Sequence, residues 1–406
     1  MNITQHLKLK PDEIKILRKV LLISMGTSAL LVGLVWTIQQ IRMHSAASTA
    51  KLKHNQVTAN PVAHLSNQEK LLPIDIKAHR IAATHYTRTQ EPAKAIQHLL
   101  RVLAATRQDR KNRLELATAY LKAGHYQAAK KEFTKLIQTG DEDTFVRAAE
   151  ARLGLTFFYL GSYEESVKKL NKCLERYPGS YEAACYRGQV LAALTPESPL
   201  VLKSFAQALS INPAYVETRY QRARYYMNKP DPTTKDYHKA RMDLLALLGH
   251  EPLHAKAHSR LGMVYYYLGQ HDAAQNSYRT ALALNPQDYN THYNLAEMIY
   301  LGLNKPMEAL KHYKAALKID STHVPAHFRV GLISLADDAY NEAIVHLKKA
   351  VSGAPSNIRF RLQLAVAYEQ RGMPQKAKST YHSILKLDPL HAVARQKLEL
   401  LNQDAS

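Results

Sequence analysis

Cysteine is nearly absent: two residues, Cys173 and Cys185, in 406. That excludes a disulfide scaffold, and with no CxxC pair it excludes a zinc knuckle. Glycine and proline are modest at 15 and 17, which excludes a collagen-like or low-complexity chain. Acidic residues are few, 34 against 55 Lys and Arg, and the formal charge is +21. Such a field favours anionic partners and surfaces but carries no information about fold. Catalytic signatures are also missing. There is no GxxxxGK, no GxGxxG after a strand and no GxSxG, so nucleotide and hydrolase chemistry have no foothold. The expectation is a protein that is not an enzyme and needs no cofactor.

What is present begins with one apolar run. Residues 20–41 read VLLISMGTSALLVGLVWTIQQI without a charge, long enough to cross a hydrocarbon core of about 30 Å. Trp36 suits an interfacial depth. Lys8, Lys10, Lys15, Arg18 and Lys19 precede the run and Arg42 follows it. The positive-inside rule then expects a single-pass membrane protein. Residues 1–19 are cytoplasmic, 20–41 form a transmembrane helix in the lipid bilayer, and the remainder lies outside, in a bacterial periplasm. A cleaved signal peptide, with small residues at Ala46 and Ala47, is the alternative. Residues 42–75 are polar, without helical periodicity, and read as a linker.

Beyond the linker one pattern recurs. From Ala255, small and large residues fall at Leu261, Gly262, Tyr265, Ala274, Tyr278 and Ala281, with Pro286 closing the run. The same phase returns at Leu153, Gly154, Phe157, Ser166, Leu170, Cys173 and Pro178. It returns at Val330, Gly331, Ser334, Ala343, Leu347, Ala350 and Pro355, and again at Leu364, Ala365, Tyr368, Ala377, Tyr381, Ile384 and Pro389. Weaker copies fill the gaps, giving nine units: 76–109, 110–146, 147–180, 181–215, 216–254, 255–288, 289–323, 324–357 and 358–391. Each reads as helix, turn, helix. Small residues mark where two helices cross, large ones fill the space beside the crossing, and proline ends the second helix. Residues 392–406 supply a capping helix and tail, with Val393, Leu398 and Leu401 covering the last unit.

This pattern resembles the tetratricopeptide repeat (TPR) family over about three quarters of the chain. The frequent Trp at position 4 of that family is missing from every unit. The resemblance implies an all-α, right-handed superhelical solenoid, here joined to the N-terminal transmembrane helix. It also implies a concave face lined by the first helix of each unit, at positions 2, 5, 6, 9, 12 and 13. Those positions hold Arg80, Lys111, Tyr186, Tyr220, Arg224, Lys256, Arg260, Tyr267, Tyr293, Asn294, Tyr300, Phe328, Arg329 and Arg359. Tyr offers contact area at low entropy cost and Arg pairs with carboxylates, so this surface suits protein segments, acidic ones included. The carboxylate clamp of some TPR domains is absent, because Ser259 and Met263 stand where its Lys and Asn belong.

Two further groups read as structural. His238, His250, His254 and His258 form the densest histidine cluster, but no ligand set is complete and no metal is expected. Cys173 and Cys185 read as buried thiols. The functional expectation is a membrane-tethered scaffold that binds proteins and assists assembly or regulation of an envelope complex in secretion, pilus formation or polysaccharide export. The alternative is a binder of anionic polysaccharide or another polyanion. Nucleic acid is disfavoured, because the basic residues are dispersed and no recognition motif is present.

Overall fold

A computed structural model describes residues 73–88, 91–106, 109–138 and 143–403. The chain divides into two units, Met1–Arg107 and Gln108–Ser406. In the first, α1 (Pro73–Arg88) pairs with α2 (Pro92–Ala105) over buried Ala83, Ala95, Leu99 and Val102. Both helices open on proline, whose fixed φ and missing N–H suit a first helical turn. α1 therefore begins inside the expected linker.

The second unit is a run of hairpins. α3 (Arg110–Lys122) pairs with α4 (Tyr126–Ile137), α5 (Thr144–Tyr159) with α6 (Tyr163–Arg176), and α7 (Tyr181–Leu194) with α8 (Leu200–Ile211). Next come α9 (Val216–Met227) with α10 (Thr234–His250), and α11 (Ala255–Tyr267) with α12 (His271–Leu284). α13 (Tyr289–Glu297) pairs with α14 (Pro306–Ile319), α15 (Val324–Ala336) with α16 (Tyr340–Gly353), and α17 (Ile358–Gln370) with α18 (Pro374–Leu387). α19 (Ala392–Gln403) follows alone. Each first helix packs on its second helix, and each second helix on the next hairpin. The core is thus a continuous strip that no single hairpin could bury.

Small-to-large pairing sets each crossing. Gly262 faces the ring of Tyr278, which is 1% exposed, and a Cβ there would lie 2.8 Å from Cδ1. Gly188 faces Phe205 and Gly331 faces Leu347 in the same way. The shortest turns inside hairpins use one left-handed residue. Gly161 (φ 80°) and Gly269 (φ 72°) supply it, and Asn304 and Asp338 take the corresponding place in later hairpins.

The missing Trp of position 4 has a structural replacement. His258 Nε2 lies 2.8 Å from the carbonyl oxygen of Pro252, and His292 Nε2 lies 3.3 Å from that of Pro286. His327 Nε2 lies 3.0 Å from the Ser321 oxygen. Arg219, Arg361 and Arg395 donate to the oxygens of Pro213, Pro355 and Pro389. A donor at the start of one hairpin thus satisfies a carbonyl left open by the end of the previous one. A further adjustment follows α13, where residues Met298–Gly302 wind as a π-helical turn. Such a turn absorbs an extra residue within a helix, and the sequence unit 289–323 is one residue longer than the 34 of its neighbour 255–288.

Two expectations are corrected. In α19 Ala394 and Leu398 are buried and Leu401 packs against the same core, while Val393 is 44% exposed. The helix starts one residue after the capping nitrogen of His391, which rotates Ala394 onto the core. The second correction concerns the membrane. No helix among the described residues is long and apolar enough to cross one. The longest, α10, has 17 residues, reaches about 26 Å, and carries Lys235, Asp236, Lys239, Arg241 and Asp243. The run 20–41 lies outside the described residues. The transmembrane helix, the cytoplasmic-to-periplasmic topology, the bilayer as partner and the tethered envelope role have no support in the helices described and drop out of the account.

Cys173 and Cys185 are free and buried. Burial, with Glu150 nearby, pushes the Cys173 thiol up to about 12, and burial pushes Cys185 up further. Neither thiolate forms near neutral pH. Both thiols should therefore resist a thiol-specific reagent until urea unfolds the hairpins. Rapid labelling of the native protein would contradict this packing.

Candidate ligand groove

The first helices form a layer of their own: α3 touches α5, α5 touches α7, α7 touches α9, α11 touches α13, and α15 touches α17. Their inward side chains meet in three sections. In the first, Arg152 of α5 donates from Nη1 to Thr118 Oγ1 (2.7 Å) and from Nη2 to Glu182 Oε1 (2.8 Å). Burial opposes its charge, but Tyr186 and Glu182 outweigh that and raise its pKa. Tyr186 and Tyr215 bring their hydroxyls to 3.4 Å. Tyr159 stacks on Tyr126 of the preceding hairpin at 5.0 Å and accepts a hydrogen bond from Gln189. Lys122, at the end of α3, is open to solvent yet surrounded by protein. Burial lowers its pKa, Arg152 adds repulsion, and the fields of Glu217, Glu251 and Lys256 also reach it. Residues far apart in sequence are thus within electrostatic reach of one another.

α11 supplies the middle section. Lys256, Arg260 and Tyr267 follow one another at helical spacing along one face. Lys256 and Arg260 form no hydrogen bond or ion pair among the described residues. Tyr267 stacks on Tyr237 of the preceding hairpin at 4.9 Å and is still 56% exposed. Behind them Tyr220 packs on His254 at 5.6 Å, and Arg224 Nη1 donates to Gln221 Oε1.

The third section is closed by its own charges. Arg329 donates from Nε and Nη2 to Glu297 Oε1 and Oε2, both at 2.7 Å. The Tyr313 hydroxyl also donates to Glu297. Arg329 lies over the Tyr300 ring at 5.2 Å. Its pKa is raised, since the hydrogen bonds and charge of Glu297 overcome burial. Tyr293 and Asn294 are half-buried beside this pair. Phe328 is buried against Phe360 at 4.4 Å, with exposed Arg359 5.2 Å above its ring. Arg80 and Lys111 are both exposed; Arg80 belongs to the first unit and is described there alone.

The sequence-selected residues therefore divide. Lys256, Arg260, Tyr267 and Arg359 are open. Tyr186, Phe328 and Arg329 are committed to internal contacts. Arg152, Glu182, Glu217 and Glu297 occupy the same groove positions and are absent from the sequence-selected set, which held no acidic residue and so left out the three glutamates. His250 to His254 reads HEPLH, the letters of an HExxH zinc motif, against the expectation that the sequence holds no such signature. That motif needs both imidazoles on one helical face. Here α10 ends at His250, and His254 Nδ1 accepts the Ala257 N–H as the cap of α11. Among the described residues no group of three or more His, Cys, Asp or Glu is placed to hold a metal.

Four stretches match tetratricopeptide-repeat models: 151–180, 255–288, 289–323 and 334–400. All four matched stretches lie in the second unit, whose hairpins are similar to tetratricopeptide repeats. The chain is 24% identical to Hsp70-Hsp90 organizing protein 3 of Arabidopsis thaliana over 57% of its own length and 40% of that protein. It is 24% identical to anaphase-promoting complex subunit 3 of Schizosaccharomyces pombe, over 52% of this chain and 36% of that one. The chain thus spans well under half the length of these relatives. A TPR protein of Parabacteroides merdae aligns over 64% of this chain and 99% of its own, at 17% identity and a TM-score of 0.44.

Proposed function

We propose that the solenoid is a protein-binding scaffold whose groove receives an extended acidic segment of a partner. The observation that carries this reading is the inner face of α11, where exposed Tyr267 stands in line with the unpaired cations Lys256 and Arg260. Lys122 adds a further cation within the same field. An anionic polysaccharide would call for an unbroken track of cations, but Arg152 and Arg329 are neutralised by Glu182 and Glu297. Isolated cations between tyrosines fit a peptide better. Similarity to an organizing protein of Hsp70 and Hsp90 and to a subunit of a large complex supports a protein partner. It does not bring the carboxylate clamp, since Ser259 is buried in a hydrogen bond with Thr291 and Met263 packs into the core.

The test uses short fluorescein-labelled peptides rich in Asp and Glu with interspersed apolar residues, read by anisotropy. Lys122→Glu with Lys256→Glu should weaken binding at least about tenfold, and added salt should weaken the wild type. Lys168→Glu with Lys172→Glu, on exposed positions of α6, should change little. Equal losses from both pairs would make the attraction a matter of net charge and sink the groove reading.

A further inference from the structure

Two adjacent hairpins carry the same device. His327 on α15 faces His346 on α16 with Nδ1 atoms 2.9 Å apart. His292 on α13 faces His312 on α14 with Nδ1 atoms 3.4 Å apart. His327 donates its Nε2 proton to the Ser321 carbonyl at 3.0 Å, so in the neutral ring Nδ1 is an acceptor. His346 must then carry its proton on Nδ1 and donate. The same logic applies to His292, whose Nε2 faces the Pro286 oxygen. One added proton fits, on Nε2 of His346. A second has only Nδ1 of His327 to occupy, where it meets the N–H of His346 head-on.

The surroundings also disfavour that charge. Asp320 in the preceding turn and Glu342 on α16 favour protonation of the first pair, while Lys314 on α14 and Lys349 on α16 oppose it. His323, at the start of α15, shares the field of Asp320 and His327. From α17, Arg361 turns to Pro355 and Ser383. Around the second pair Glu308 favours protonation, and Arg279 on α12 and Lys311 on α14 oppose it. Burial lowers His327 and His312, and burial followed by repulsion from His327 lowers His346 to about 4.

We propose that α13–α16 form a proton-sensitive joint in the solenoid, held by two neutral histidine pairs and loosened in mildly acidic solution. Histidines whose folded pKa is depressed stabilise the fold above their unfolded value, near 6.5. That contribution fades as pH falls from there toward about 4. α13 carries Tyr293 and Asn294, and α15 carries Phe328 and Arg329, so loosening would alter that end of the groove. This last consequence rests on the proposed function; the joint itself does not.

Hydrogen exchange of the full chain tests it without any ligand. α5–α8 contain no histidine and serve as the internal control. Between about pH 7.5 and about pH 5, after correction for intrinsic rates, opening of α13–α16 should increase on the order of tenfold relative to α5–α8. His312→Gln with His346→Gln keeps a neutral donor at each site and should remove most of that excess. His382→Gln, at an exposed position, should not. Equal pH responses in the two sections would overturn the joint, as would an excess that survives the double substitution.

Discussion

Glu297→Ala is expected to destabilise the hairpins α13–α16 by about 3 kcal/mol, the lower end of the range for breaking a buried pair. Glu297 takes both hydrogen bonds of the Arg329 fork and the hydroxyl of Tyr313, a side chain with no exposed surface. The two ionic side chains are 19% and 20% exposed, so water softens the loss. Alanine leaves a guanidinium without its acid and a buried phenol without an acceptor. Glu297→Gln, which still accepts from Tyr313 and one Arg329 N–H, should cost less than half as much. Urea melts read by exchange in α13–α16 measure both. Similar values for the two variants would mean that the loss is of packing and not of charge pairing.

A second large effect belongs to Gly188. A Cβ there would lie 2.7 Å from two ring carbons of Phe205, which has no exposed surface and no room to retreat. Gly188→Ala should destabilise the α7–α8 hairpin by about 2 kcal/mol, within the usual range for overpacking. Gly249→Ala offers the contrast. It lies in α10 with nothing within 4 Å of the added carbon, and relieving a helix of glycine is worth up to about 1 kcal/mol. Opposite signs at these two glycines, in thermal or urea melts, follow from crossing geometry alone. A harmless Gly188→Ala would mean that α7 and α8 do not cross as described.

Much of the fold was legible because its determinants are local and periodic. Gly262 and Tyr278 lie 16 residues apart in one hairpin, and the same pairing recurs at Gly188 with Phe205 and Gly331 with Leu347. The site was less legible. Glu297 and Arg329 come from different hairpins, 32 positions apart, and no periodicity marks which groove base meets which groove acid. Arg329 therefore looked available and is not. The absent Trp of position 4 looked like a simple departure, because the carbonyl that His258 or Arg361 satisfies belongs to the preceding turn. HEPLH shows the reverse case. Its letters suit a zinc helix, but Pro252 stands in a turn and His254 is a cap. The apolar run at 20–41 invited a topology that none of the described helices supports.

The most direct test of the central claim is where a bound acidic segment lies. The same labelled peptides, carrying a photoreactive phenylalanine at their centre, would be irradiated with the full chain and the adducts mapped by mass spectrometry. Adducts at Tyr159, Lys256, Arg260 and Tyr267 are the predicted result. Adducts concentrated on α10 at Met242 and Leu245, which are 69% and 47% exposed, would place the ligand on the second-helix surface and contradict a groove-binding scaffold.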